Sequence, residues 1–126
     1  MKYFILLLIF TGLFADDYDH HNERHINKEL SHLNLSKVQS KKIKKILKDF
    51  RFELKEFREY KEELEDKRKK IFIKEIFDTQ ELNRLNQALD TKSSEIENKL
   101  LRSMHIILSK KQREEFIHYF DDWEVK

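Results

Sequence analysis

Three imidazoles stand close together early in the chain: His20, His21 and His25, with Asp16, Asp17, Asp19 and Glu23 beside them. Imidazole and carboxylate together suit Zn, Cu or Ni. His21 and His25 would share a face if this stretch were helical. None of the spacings is a recognised zinc signature, so weak, adventitious binding is the simpler reading. His32, His105 and His118 stand apart and read as surface or packed histidines. Catalysis finds less to work with. The chain has no cysteine, and its only glycine is Gly12, which leaves no thiol nucleophile, Gly-rich phosphate loop or Gly-x-Ser-x-Gly elbow. No spacing fixes a base beside a nucleophile. The expectation is a protein that is not an enzyme and needs no cofactor, with Zn, Cu or Ni as the metals it could take up.

The elements that must position these groups follow from composition. Of 126 residues, 40% are charged and 39% hydrophobic, with no proline, which favours helical stripes over a deep core or a strand-and-turn fold. Met1 to Ala15 reads as a cleaved secretory signal peptide: Lys2, an apolar run from Tyr3 to Phe10, then small residues ending at Ala15. The run is shorter than the roughly 20 residues that span a bilayer. Removing Lys2 from 26 Lys+Arg leaves 25 against 24 Asp+Glu, so the exported chain is close to neutral. Lack of cysteine suits an oxidising compartment such as the periplasm. Export argues against nucleic acid as a partner. Residues 16–25 are polar and predicted flexible, and 26–126 is predicted to be a single helical domain.

From Lys37 to Phe77 there is no helix breaker, and Ile43, Phe50, Phe57, Leu64 and Ile71 recur every seven residues. That period fits one buried helical face. The reading is one very long helix, or two collinear helices with a bend in the charged run Glu62 to Lys70. Ile26, Leu30 and Leu33 predict a short helix before it. Asp78 or Thr79 can cap the next helix, whose face carries Leu82, Leu85, Leu89, Ile96, Leu100, Met104 and Ile107. A short connection makes the two antiparallel. Phe116, Tyr119, Phe120 and Trp123 give a last helix an aromatic stripe. The fold class is therefore all-α: an elongated antiparallel helical hairpin of about four helices.

Two capping boxes punctuate this hairpin: Leu35-Ser36-Lys37-Val38-Gln39 and Leu108-Ser109-Lys110-Lys111-Gln112. In each, the Ser hydroxyl accepts from the Gln backbone N–H, and the Gln side chain reaches back to the Ser N–H. Leu35 is placed to staple onto the first turn. Two copies in an exported helical chain resemble the LTXXQ motif of the Spy/CpxP family of periplasmic proteins, over roughly Leu33 to Phe120. Ser replaces Thr in both copies, and the second lacks the proline often found there; the capping hydroxyl is kept. The resemblance implies a four-helix hairpin that dimerises through its long helices into a cradle. It assigns Leu35, Ser36, Gln39, Leu108, Ser109 and Gln112 a structural role at the hairpin ends. It also implies an ATP-independent chaperone or envelope-stress adaptor, or alternatively a metal-binding or sensor-kinase-regulating protein of the same fold.

The residues give that function a surface. A thin hairpin cannot bury both faces of its helices, so Phe52, Phe72 and Ile73 are expected to stay partly exposed among cations. With Leu47, Lys48 and Arg51 they form the candidate surface for unfolded clients, drawn first by charge and held by apolar contact. From Lys37 to Arg51 there are seven cations and one acid, and from Glu53 to Asp66 seven acids and three cations. In an antiparallel homodimer these sections could face one another and fix register. The basic section could also lie on a membrane surface, although the acids beyond it weaken that reading.

Overall fold

The computed structural model describes residues 28–125, so the signal-peptide segment and His20, His21 and His25 lie outside the described residues. The chain divides between Leu35 and Ser36 into two units, which are described separately. In the first, residues 28–31 form a helical turn closed by Leu33 N–H donating to the Leu30 carbonyl at 3.1 Å. Asn34 follows at φ 52°, a left-handed position that Asn tolerates after a helix end.

In the second unit every regular element is helical. Helix α1 spans Lys37–Ile73, α2 spans Thr79–Ile107 and α3 spans Lys110–Phe116, and a 3₁₀ helix follows over Ile117–Trp123. Helix α1 runs without interruption through Glu62 to Lys70, so the single-helix reading holds and there is no second collinear helix. At 1.5 Å per residue it is roughly 55 Å long. It stops at Ile73, earlier than the sequence expectation of Phe77, because Lys74 turns extended at ψ 151°. The last aromatic segment also departs from expectation: after Phe116 the backbone tightens from α to 3₁₀.

Contacts between distant residues set the topology. Gln39 near the start of α1 meets Ile107 at the end of α2; Glu53 meets Lys99 midway; Leu64 and Ile71 meet Leu85 beside the connection. Low numbers on one helix pair with high numbers on the other, so α1 and α2 are antiparallel. The seam contains Ile43, Leu47, Phe50, Phe57, Leu64 and Ile71 from α1, and Leu85, Ile96, Leu100 and Met104 from α2. Each fully buried side chain of this kind stabilises by about 1.5–3 kcal/mol. At the other end Phe116 packs edge-on against Trp123, centroids 5.1 Å apart, and against Phe120 at 5.7 Å. Val125 N–H donates to the Glu97 carboxylate at 3.4 Å, which ties the C-terminal strap to α2.

Candidate functional site

The two Ser-x-x-Gln motifs meet. Ser36 Oγ accepts from Gln39 N–H at 3.1 Å, and Gln39 Oε1 accepts from Ser36 N–H at 2.9 Å. Ser109 and Gln112 repeat the arrangement at 3.3 and 2.9 Å. The glutamine side chains then join: Gln39 Nε2 donates to Gln112 Oε1 at 2.8 Å, and Gln112 Nε2 donates to Gln39 Oε1 at 3.1 Å. Gln39 Nε2 also donates to the Ile107 carbonyl at 3.0 Å, one of the acceptors left over at the end of α2. One amide pair thus caps two helix starts and one helix end. Leu108 beside it is buried, while Leu35 is half-buried. Arg113 Nη1 donates to His105 Nε2 at 2.9 Å and adds a second tie between α2 and α3. The reciprocal amide pair was not anticipated from sequence, although the repeated motif was its signal.

The capping boxes also answer a problem of charge. The first turn of α1 contains no acid and opens a strongly cationic section, which opposes the helix dipole. Side-chain acceptors on the orphan N–H groups offset that cost. Helix α2 begins differently. Asp78 Oδ1 accepts from Glu81 N–H at 3.0 Å, while the Glu81 carboxylate accepts from Arg84 Nε at 2.9 Å and from Arg84 Nη2 at 2.6 Å. The Arg84 hydrogen bond holds the Glu81 carboxyl below its ordinary value, and Arg84 is raised in turn by Glu81. Lys99, hydrogen-bonded to the Glu53 carboxylate, also holds its proton more tightly than a free lysine.

The residues expected to meet clients separate into three places. Leu47 is buried at 5% exposure, a correction to its placement on the binding surface. It falls between Ile43 and Phe50 at helical spacing and turns into the seam with them. Lys48, Arg51 and Phe52 remain on the surface, with Phe52 63% exposed. Phe52 and Lys48 line an open groove with Asp49, Glu53, Lys92 and Lys99. Phe72 and Ile73 lie at the far end of α1, 79% and 80% exposed. They line a second, mainly apolar groove with Glu65, Arg68, Lys69, Phe77 and Leu82. Ile76, 82% exposed, belongs to the same end and was not singled out from sequence. It lies past the end of α1 at Ile73, a helix stop that no Gly or Pro in the sequence marks.

Among the described residues no group of three or more His, Asp or Glu could hold a metal ion. No described helix is long and apolar enough to cross a membrane. Comparison with family models, curated proteins and solved structures returned no match.

Proposed function

We propose that this is an exported, ATP-independent chaperone or envelope-stress adaptor of the Spy/CpxP type, which holds unfolded polypeptide on an amphiphilic helical surface. The observation that carries the reading is the set of large apolar side chains left on the surface of a two-helix hairpin among charged groups: Phe52 with Lys48, Lys92, Asp49 and Glu56, and Phe72 and Ile73 with Arg68, Lys69 and Glu65. Cations draw an unfolded chain from a distance, and exposed rings and branched side chains hold it loosely. Loose holding needs no nucleotide. The pairing of the two Ser-x-x-Gln motifs at one end of the hairpin fits the structural role that the family resemblance gives them. In the proposed form the chain is a periplasmic homodimer, with the long helices of two copies making a cradle.

The test is aggregation of a chemically denatured, unrelated protein, followed by light scattering without ATP. Near-stoichiometric protein should suppress scattering, and Phe52→Ser should weaken suppression severalfold with helicity unchanged. Full aggregation at a several-fold molar excess would remove the holdase reading.

A further inference from the structure

The connection between α1 and α2 contains more than a client patch requires. Phe72, Ile73, Ile76 and Phe77 are all exposed large hydrophobics, packed into six consecutive positions. Ile71, immediately before them, is buried with Leu64 and Leu85. The seam therefore ends at Ile71, and the next four large apolar side chains project beyond it. Isolated exposed hydrophobics are ordinary, but a contiguous set at a chain reversal is not. The surrounding charge is net positive, although Glu65 also lines the groove at this end. From Arg68 to Asp78 the sequence has four cations, Arg68, Lys69, Lys70 and Lys74, against Glu75 and Asp78. Asp78 is turned back to cap α2.

We propose that this turn is a docking point for an anionic lipid surface, with Phe72, Ile73, Ile76 and Phe77 entering the interface and Arg68, Lys69, Lys70 and Lys74 meeting the headgroup phosphates. Exposed apolar side chains flanked by an excess of cations match the two layers that such an interface presents, acyl chains below and negative charge above. The occupant is set by this complementarity: a second copy of the chain would bring the same cations face to face. The inference goes beyond the holdase reading, with which it shares Phe72 and Ile73. It places the lipid contact at the turn, away from the basic Lys37–Arg51 section that the sequence offered for that purpose.

The chain has no cysteine, so one introduced thiol reports from one place. Exported forms, from Asp16 on, with Ile76→Cys and, as a control on α2, with Thr91→Cys, are labelled with an environment-sensitive nitrobenzoxadiazole dye. They are mixed with phosphatidylcholine vesicles, with or without about a third phosphatidylglycerol. The label at position 76 should brighten, shift to the blue and be quenched by nitroxide lipids on anionic vesicles only. The label at 91 should not respond. About 0.5 M salt should reverse the response. Each Lys→Glu change among Lys69, Lys70 and Lys74 should weaken the response at least fivefold, and Phe72→Ser with Phe77→Ser at least tenfold. A silent label at position 76 on anionic vesicles, an equal response on neutral ones, or a lipid-free response that grows with protein concentration would each overturn the proposal. So would a label that answers only to denatured polypeptide, a result that would leave the holdase reading standing. Conversely, a lipid response in a protein that fails to suppress aggregation would support the docking point and remove only the holdase.

Discussion

Gln39 and Gln112 show how two side chains can carry several duties. Each closes its own capping box, and each donates to the other. Replacing Gln39 by Ala removes one hydrogen-bond partner each from the Ser36 N–H, the Ile107 carbonyl and the Gln112 amide. We expect a loss of about 1–3 kcal/mol in urea unfolding. The double variant with Gln112→Ala should cost less than the sum, with a coupling of at least about 0.5 kcal/mol. Ser36→Ala, which removes one cap acceptor, should cost about 1 kcal/mol. Glu81 gives a pH test. Its folded carboxyl lies below the ordinary value because Arg84 donates to it. Its contribution to stability is therefore complete above the unfolded carboxylate pKa and is lost as pH falls through the lower, folded one. In a carbon-13 titration Arg84→Met should move the Glu81 midpoint upward. An unchanged midpoint would show that the hydrogen bond does not set it.

At the scale of elements, burial separates residues that hydrophobicity alone does not. Leu47 and Phe52 lie five positions apart on α1, yet only Leu47 is in the seam. Leu47→Ala should cost about 2–5 kcal/mol, whereas Phe52→Ala should stay within about 0.5 kcal/mol. Comparable losses in both would contradict the placement of α1 against α2. Much of this element structure was legible beforehand. The seven-residue recurrence from Ile43 to Ile71 required a helix with one buried face; Ser36 and Ser109 marked two helix starts, and Asp78 or Thr79 a third, where Asp78 is the cap. The place where α1 stops was not legible. No Gly or Pro marks it, and large apolar residues continue past it to Ile76 and Phe77. The change to 3₁₀ winding after Phe116 was equally hidden, since it accompanies the packing of Trp123 onto the Phe116 ring.

For the whole molecule the central quantity is the distribution of charge. The formal net charge is only +2, yet the Lys37–Arg51 section is cationic and the Glu53–Asp66 section acidic. Within one chain Lys99 on α2 answers Glu53, and Glu63 pairs with Lys67 along α1 at 3.7 Å. In the proposed homodimer the two sections of opposite helices face each other. Dimer dissociation, followed by sedimentation at rising protein concentration, should strengthen on going from about 50 to about 500 mM salt, as exposed charges are screened. A salt-independent dimer would remove charge register as its basis. Capture of clients should also slow with salt while the amount finally held changes less, because steering acts on the encounter and apolar contact on the release.

The sequence by itself determined the helical class, the helix starts and most of the seam, because capping and periodicity are local: each depends on residues a few positions apart. It also brought the two Ser-x-x-Gln motifs into view. Only the tertiary structure decided that their glutamines bond to each other, that Leu47 turns inward, and that Ile76 and Phe77 join Phe72 and Ile73 uncovered past the end of the seam. Those outcomes depend on how far α2 runs back along α1. That alignment is a contact between residues dozens of positions apart, and no local pattern encodes it.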